Sequence, residues 1–294
     1  MQSPLKKIVV YDLETGGLSC KYNSITEIAM VVIEVETLEI IEEFSVMIRP
    51  YMNLVHILEE GIKEAKIIFA NLSTKDPETN INSMQYKGRS ITLKSLEQFA
   101  NDLEHFNNNY IQSHGTKITY ENYLELRQSP QFADIAEVYL NHTYNPQALE
   151  ITHIPIELLL QEGIEREEAL MEIQDVIKKH TVGNNKPVLA GHNIKAFDNP
   201  IFEKFLQEGG VDLSKITNSF QIDTLDWARL RWFEMASFSL GVCANEVGLT
   251  LKEAHRALPD TVANAKFLVK LLKSLRGEGA QESKYVRRKF KFNF

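Results

Sequence analysis

Three runs of mainly apolar residues near the start of the chain predict three β-strands. They cover residues 7–14, 25–35 and 39–48 and are rich in isoleucine, valine and methionine. The stretches between them are short and turn-forming, which is typical of strands that pair antiparallel with their neighbours. We therefore expect the chain to begin with a three-stranded antiparallel meander.

From about residue 155 onward, helical spacing alternates with short apolar runs. Four stretches with apolar residues at helical spacing are predicted as helices: 155–179, 197–208, 225–232 and 260–275. Short apolar runs at 187–191 and 220–223 predict two further strands. Strands that alternate with helices are typical of α/β proteins, so the sequence predicts a mixed central sheet flanked by helices.

Residues 54–143 interrupt this pattern, because they are more polar and rich in asparagine. Within them we expect a hairpin formed by 66–72 and 85–93, followed by helices at 93–106 and 120–140. We interpret this region as a large α+β insertion after the third strand. The predicted domains are a discontinuous main domain (1–53 and 144–276), an inserted subdomain (54–143) and a basic-aromatic C-terminal tail (277–294).

Composition indicates the size of the core and the cellular location that we expect, but it does not identify the function. The chain has 294 residues, of which 44% are hydrophobic, and this is enough for one sizeable core. It shows no apolar run long enough to span a bilayer and no signal pattern, and its two cysteines predict no disulfide framework. We therefore expect a cytoplasmic protein that does not bind membranes. The net charge of −8 argues only weakly against nucleic-acid binding, since an acidic metal site itself lowers net charge.

Two acids stand at the end of the first predicted strand. Asp12 and Glu14 are two positions apart, so their side chains point to the same face of that strand. Neighbouring carboxylates repel, and a divalent cation that prefers oxygen ligands relieves the repulsion. A solvated strand end is an equally good interpretation of this pair alone. Asp198 and Asp260 precede predicted helices, where aspartate is a common cap, and a single histidine such as His255 is usually structural.

Taken in order, these residues form three motifs. The motifs are Asp12-x-Glu14, Asn193-x-x-x-Phe197-Asp198 and His255-x-x-x-x-Asp260. They resemble the motifs of the DnaQ-like 3′–5′ exonucleases, in the DEDDh branch of the RNase H-like superfamily. The flanking segments 15–18, 26–29, 145–152, 222–225, 239–241 and 254–258 also resemble that family. The resemblance covers about residues 5–52 and 143–275.

The chain departs from the family pattern at several points. The family often has threonine where this chain has Leu13 and Gly16. Many members have two residues between the asparagine and phenylalanine of the second motif, whereas this chain has three between Asn193 and Phe197. The insertion after the third strand is also unusually long.

The resemblance implies an RNase H-like fold in which four acids hold two Mg²⁺ or Mn²⁺ ions. The implied metal ligands are Asp12, Glu14, Asp198 and Asp260, and His255 is the implied general base. The implied substrate-binding residues are Thr15, Gly16, Gly17, Leu18, His192, Asn193 and Phe197, with Leu18 packing against the last bases. Glu27 and Asp223 are expected to have structural or supporting roles. The implied product is a 5′-nucleoside monophosphate, released from a nucleic acid with a free 3′ end.

The sequence leaves several alternatives for the substrate and the partners. Single-stranded DNA, in proofreading or DNA processing, is the first expectation, and RNA trimming is the second. The third alternative is a non-catalytic nucleic-acid-binding or assembly module on the same fold. The tail interleaves cations with four aromatic residues, so it is expected to bind nucleic acid or to dock on a polymerase, clamp or other replication protein. The sequence does not decide the role of the insertion or the oligomeric state.

Overall fold

The computed structural model describes residues 5–20, 23–51, 143–249 and 255–277, together with the backbone of 84–86 and 89–91. Most of the predicted insertion lies outside the described residues, and so do the helices predicted at 93–106 and 120–140. The basic-aromatic tail after residue 277 lies outside them too. Within the described residues, no helix is both long and apolar enough to cross a bilayer.

The central sheet has five strands in the order β3-β2-β1-β6-β7. Its first three strands form the predicted antiparallel meander, and β6 and β7 run parallel to β1. The strands of the described chain are β1 (Lys7–Thr15), β2 (Ile25–Glu34), β3 (Ile40–Met47), β4 (Met84–Tyr86), β5 (Arg89–Ile91), β6 (Val188–Gly191) and β7 (Gln221–Asp223). The predicted mixed central sheet is therefore confirmed.

Helices follow the meander and pack on the sheet. Those of the described chain are α1 (Pro146–Thr152), α2 (Ile156–Glu162), α3 (Arg166–Lys179), α4 (Asp198–Glu208), α5 (Leu213–Ile216), α6 (Thr224–Arg231), α7 (Leu240–Glu246) and α8 (Ala257–Leu275). The helices predicted at 197–208, 225–232 and 260–275 correspond to α4, α6 and α8. The family-like segment 145–152 corresponds to α1, whose first residue is a proline after the capping Asn145.

Two predictions of continuous elements are wrong. The segment 85–93 is not one strand, since it contains parts of both β4 and β5, which pair with each other. In the sequence, Gly88 was the signal for a break within this segment.

The helix expected from residue 155 to 179 is two helices: α2 ends just before Gly163, and α3 begins shortly after it. A Cβ at Gly163 would lie 2.3 Å from the carbonyl oxygen of Leu159 and 2.6 Å from the amide nitrogen of Arg49, so only glycine permits this close approach.

The sheet has one core on each face. Ile8 and Val10 of β1 face α8, whereas Val9, Tyr11 and Leu13 face α3 and α4. Asp12 and Glu14 continue the series of even positions. The alternation of β1 therefore directs both acids toward the layer that contains α8.

The chain leaves and re-enters this fold at adjacent points. The backbone N–H of Tyr51 donates to the hydroxyl of Tyr144 (2.9 Å), and that hydroxyl donates to the carbonyl of Tyr51 (3.0 Å). The two tyrosines therefore join the sequence before the expected insertion to the sequence after it. Adjacent ends are what an inserted subdomain requires, and its boundaries at residues 54 and 143 stay a prediction.

Candidate metal centre

Three carboxylates converge where the end of β1 meets the start of α8. Asp12 and Glu14 lie on the β1 face that is covered by α8, and Asp260 lies in the first turn of that helix. One carboxylate oxygen of each residue lies within 4.8 Å of one oxygen from both of the others. The first motif on β1 and the third motif at the start of α8 therefore supply these carboxylates from two elements that are distant in sequence.

The electrostatic state of these acids shows that they are crowded. Burial raises the pKa of Asp12 well above its ordinary value, and the charges of Asp198, Glu14 and Asp260 raise it further. Burial, followed by the charges of Asp260 and Glu27, raises the pKa of Glu14 to about 8. Burial also raises the pKa of Asp260. Without a counter-charge, each of these carboxylates therefore loses its proton at a higher pH than an isolated carboxylate does.

The donor set fits a hard divalent cation. Asp260 Oδ2 accepts a hydrogen bond from the backbone N–H of His255 (3.0 Å), whereas the buried Asp260 Oδ1 has no hydrogen-bond partner. A buried oxygen without a partner is costly unless a ligand satisfies it. Carboxylate oxygens are the ligands that Mg²⁺ and Mn²⁺ prefer. Asp12, Glu14 and Asp260 are thus able to hold such an ion.

Asp198, the fourth predicted ligand, reaches the same strand end from the opposite layer of the fold. It is the first residue of α4, it is buried, and its carboxylate accepts a hydrogen bond from the backbone N–H of Leu13. Burial raises its pKa to about 7. It is not part of the three-acid cluster, although its charge is the largest electrostatic influence on the pKa of Asp12. The structure therefore gathers all four acids around β1 and places three of them within ligand distance of one another.

Glu27 anchors the start of α8 beside this cluster. It lies directly opposite Glu14 in the β1–β2 register and is buried. Its carboxylate accepts two hydrogen bonds from the guanidinium of Arg256, each 3.1 Å, and one of 3.1 Å from the backbone N–H of Ala257. The sequence showed an acid on the second strand but gave no sign of its partner, Arg256, which is 229 positions away.

His255, the predicted base, lies next to Arg256 in an exposed position. Its backbone is left-handed, with φ of 69°, and its N–H is bonded to Asp260. This conformation lets residue 255 turn the chain into α8 while its backbone contacts the carboxylate of Asp260. The ring is accessible to solvent and to a substrate, as a general base must be.

The predicted nucleotide-binding turn has one exposed side chain and a tightly bonded backbone. Leu18 is 87% exposed, which suits a side chain that packs against a base. Thr15 is buried and donates from Oγ1 to the carbonyl of Gly17 (2.7 Å). The N–H of Gly16 donates to Ser24 (2.9 Å), and its carbonyl accepts from the N–H of Asn145 (2.6 Å). Both backbone polar groups of Gly16 are thus engaged in hydrogen bonds within the protein, so this residue shapes the turn.

Asn23 fixes this turn against the returning chain. Its Oδ1 accepts from the N–H of Ser19 (2.7 Å), and its Nδ2 donates to the carbonyls of Gly16 and Thr143 (each 3.2 Å). A Cβ at Gly16 would lie 2.2 Å from the carbonyl oxygen of Thr143. The turn and the chain after the expected insertion are therefore in direct backbone contact.

The second motif presents its three predicted substrate-binding residues differently. Both ring nitrogens of His192 are engaged inside the protein: Nε2 donates to the carbonyl of Phe238 (2.7 Å), and Nδ1 pairs with the hydroxyl of Thr224 (3.0 Å). Burial lowers its pKa. Phe197 packs against the core beside α4. Asn193 is exposed with φ of 65°, so its side chain is the most available of the three for a substrate.

Asp223 holds the second motif in place. Its Oδ1 accepts from the N–H groups of Asn193 (2.9 Å) and Leu225 (3.0 Å), and its Oδ2 accepts from the N–H of Lys195 (3.3 Å). It thereby caps α6 and fixes the turn that leads to Asp198. The sequence signal for this role was an aspartate between a strand and a helix.

Comparisons with known proteins find an exonuclease family and DNA polymerases among the similar sequences. Residues 9–75 match the exonuclease family model RNase_T. The chain is 32% identical over 108 residues to a DNA polymerase III PolC-type of Bacillus cereus, covering 37% of this chain and 7% of that protein. It is 28% identical over 200 residues to the Staphylococcus saprophyticus protein of the same name, covering 66% of this chain and 12% of that protein. The chain thus spans about a tenth of the length of these curated relatives.

Solved structures show the same fold at low sequence identity. The E. coli Exonuclease I complex with single-stranded DNA superposes with a TM-score of 0.54 and 14% identity, covering 93% of this chain and 42% of that one. Exonuclease I from Methylocaldum szegediense gives a TM-score of 0.51 and 15% identity, covering 92% and 41%. The expected likeness to the DnaQ-like exonucleases is thereby confirmed as a family match over residues 9–75 and as a shared RNase H-like fold, while the narrower DEDDh branch stays a prediction.

Proposed function

We propose that this protein is a metal-dependent 3′–5′ exonuclease that releases 5′-nucleoside monophosphates. The observation that carries the proposal is the cluster of Asp12, Glu14 and Asp260, in which the buried Asp260 Oδ1 has no partner, with the exposed His255 beside it. A solvated strand end does not explain this arrangement, because the acids are crowded and their pKa values are raised.

In this proposal each residue has a distinct part. Asp12, Glu14 and Asp260 hold Mg²⁺ or Mn²⁺, with Asp198 completing the site for a second ion. When bound, two such ions stabilise the charge on the attacked phosphate and on its leaving oxygen. His255 accepts the proton of the attacking water at a ring nitrogen. A histidine suits this step because its ordinary pKa lies near neutral pH.

The terminal nucleotide is bound by the turn after β1 and by the second motif. The exposed Leu18 packs against the terminal base, and Asn193 provides an amide for hydrogen bonds to the nucleotide. The roles of Thr15, Gly16 and Gly17 in this proposal are to shape the turn. His192 and Phe197 support the shape of the second motif and do not contact the nucleotide directly. The ring of His192 is bonded to Thr224 and Phe238, and Phe197 packs on the core.

Single-stranded DNA is the substrate that we propose first. In support, similar structures include E. coli Exonuclease I complexes with single-stranded DNA and with a dT13 oligonucleotide, and the curated relatives are PolC-type DNA polymerases. An RNA-trimming activity is the second candidate, since the three motifs alone do not distinguish a 2′-hydroxyl from a hydrogen.

The test uses 5′-labelled DNA and RNA oligonucleotides of one sequence with Mg²⁺, Mn²⁺ or EDTA. We expect stepwise shortening from the 3′ end that EDTA abolishes, with DNA degraded faster than RNA. The Asp12→Asn variant, which loses one ligand at constant size, is the matched inactive control. Tight binding of either oligonucleotide without shortening would instead favour a non-catalytic binding module.

A polymerase or clamp is the protein partner that we propose for the C-terminal tail. The support is the likeness to PolC-type polymerases and the cations and rings of the tail sequence. Deletion of the residues after 277 should abolish co-migration with a replicative polymerase or clamp. The nuclease activity on short oligonucleotides should remain, because the four acids and His255 precede the deletion.

A further inference from the structure

A surface outside the metal centre combines exposed apolar side chains with cations. It consists of Arg229, Leu230, Arg231, Trp232 and Phe233 at the end of α6, and we call it the α6-end surface. Leu230 is 82% exposed and Phe233 is 79% exposed, while both arginines are also exposed. Large apolar side chains next to each other in solvent are typical of a binding surface.

The two arginines carry charges that the described part of the chain does not neutralise. In that part, neither guanidinium forms a salt bridge with a carboxylate, whereas the nearby Lys195 is paired with Asp226 at 2.7 Å. The guanidinium of Arg231 lies 5.9 Å from the ring centre of Trp232. The surface thus combines two exposed guanidinium groups with one exposed aromatic ring, that of Phe233, whereas Trp232 is partly buried and stacks on Phe267. Cations beside an exposed ring form a combination that binds single-stranded nucleic acids.

This surface is fixed close to the second motif of the candidate site. The positive charge of Arg229 contributes to lowering the pKa of His192, after the larger effect of burial, so this end of α6 acts electrostatically on the second motif. The loop that follows the surface returns to the same histidine, since the carbonyl of Phe238 accepts the hydrogen bond from His192 Nε2. Asp223, which bonds the turn at Asn193, caps the start of α6, so this eight-residue helix places the α6-end surface roughly 12 Å from that turn.

We infer that the α6-end surface binds the nucleic-acid strand upstream of its terminal nucleotide. In this inference, which rests on the proposed function, Arg229 and Arg231 contact phosphates while Phe233 stacks on a base. The physical reason is charge: a protein with a net charge of −8 and four acids in its metal centre repels a strand unless local cations attract it. A single strand is the occupant that matches both the exposed guanidinium groups and the exposed ring of Phe233.

The test separates strand binding from the chemical step by using two substrates. One is a single-stranded DNA 12-mer, and the other is the p-nitrophenyl ester of thymidine 5′-monophosphate, which has no upstream nucleotides. Arg229→Ala with Arg231→Ala should raise KM for the 12-mer about tenfold and reduce the salt dependence of binding, because about two phosphate contacts are lost. Phe233→Ala should raise that KM about tenfold as well. Hydrolysis of the ester should be unchanged in both variants.

Matched controls come from exposed positions of α8. Lys266→Ala with Lys273→Ala removes two exposed positive charges, and Leu275→Ala removes a side chain that is 73% exposed. Both controls should leave KM for the 12-mer unchanged. Thermal unfolding of all variants should match that of the wild type, because the altered side chains are at the surface.

Two results would overturn the inference. One is an unchanged 12-mer KM in the α6-end variants, which would assign the surface to a protein partner. The other is an equal loss on the 12-mer and the ester, which would show a general disturbance of the site. If the wild type cleaves neither substrate, the proposed function fails instead, and fluorescence anisotropy with a labelled 12-mer still tests whether the surface binds a strand.

Discussion

Glu27 and Arg256 connect the second strand of the sheet to the start of the last helix through a two-pronged ion pair. Both guanidinium bonds are 3.1 Å long, and the Glu27 carboxylate is buried while the Arg256 side chain is 37% exposed. The same carboxylate accepts the N–H of Ala257, the first residue of α8. Because His255 and Asp260 flank this point, the pair determines where both residues lie relative to Glu14.

Replacing Glu27 with glutamine should therefore weaken the metal centre more than it weakens the fold. Groups that orient metal ligands typically affect metal affinity or activity by ~10–100-fold. We expect a loss of that order in Mn²⁺ affinity, measured by calorimetry on the protein alone, with a parallel loss of nuclease rate. Glu165→Gln removes an exposed ion pair with Arg49 and is the control, which should change neither quantity. Unchanged Mn²⁺ affinity in Glu27→Gln would contradict the positioning role.

Replacing Asp12 with asparagine should abolish cleavage and leave the metal-free protein as stable as the wild type or more stable. The pKa of Asp12 is raised by burial and by four neighbouring acids, so a neutral side chain of the same size relieves a repulsion. The measurements are oligonucleotide cleavage in Mg²⁺ and the melting temperature in EDTA. Asp175→Asn, at an exposed position of α3, is the control for the loss of one charge. A markedly lower melting temperature in Asp12→Asn would show that this carboxylate stabilises the fold itself.

The stability of the metal-free protein should fall as the pH rises from about 5 to 8. The pKa of Glu14 is raised from 4.5 to about 8 and that of Asp198 from 3.8 to about 7. Over this window the folded state therefore binds more protons than the unfolded state, and the free energy of unfolding decreases with increasing pH. Melting temperatures in EDTA across this range measure the effect.

Mg²⁺ should reverse this dependence, since metal binding requires the deprotonated carboxylates and grows stronger as the pH rises. The gap between melting temperatures with and without Mg²⁺ is therefore expected to widen toward pH 8. Glu14→Gln should flatten the curve in EDTA, because the residue with the pKa of about 8 no longer titrates. A melting curve in EDTA that is already flat in the wild type would contradict the crowding of these acids.

Replacing His255 with asparagine should slow cleavage while leaving metal affinity unchanged. A general base typically contributes ~10²–10⁴-fold to the rate, and asparagine tolerates the left-handed backbone that residue 255 adopts. His153 is also exposed and left-handed, with φ of 56°, so His153→Asn is a closely matched control. Single-turnover rates and Mn²⁺ affinities of both variants test the assignment. Equal rates for the two variants would remove His255 from the chemical step.

The positions of the acids were predictable to different degrees. The period of two along a strand placed Asp12 and Glu14 on one face, and the structure shows that this face meets α8. The contact of these acids with Asp260 depends on how the distant helix α8 packs on the sheet. Local sequence patterns carry no information about that packing. Asp198 approaches from the opposite layer, so the sequence motif indicated its involvement but not its separation from the other three acids.

Supporting contacts were the least predictable part of the site. The family resemblance placed His192 among the implied substrate-binding residues. In the structure its ring bonds to Thr224 and Phe238, which are 32 and 46 positions away. The Arg256–Glu27 pair likewise joins residues 229 positions apart. Such pairings follow from the packed layers and have no local periodicity that would indicate them.

The contact between Gly16 and Thr143 makes two unusual features of this chain dependent on each other. The related family often has threonine at the position of Gly16, yet here a Cβ would lie 2.2 Å from the Thr143 carbonyl oxygen. A family-like threonine is therefore compatible with this protein only if the chain at residues 143–145 takes another path. For protein engineering, this means that Gly16 and the expected insertion should be transferred together: we expect a relative that receives the insertion to need the glycine, and a threonine at position 16 to require a rebuilt connection at residues 143–145.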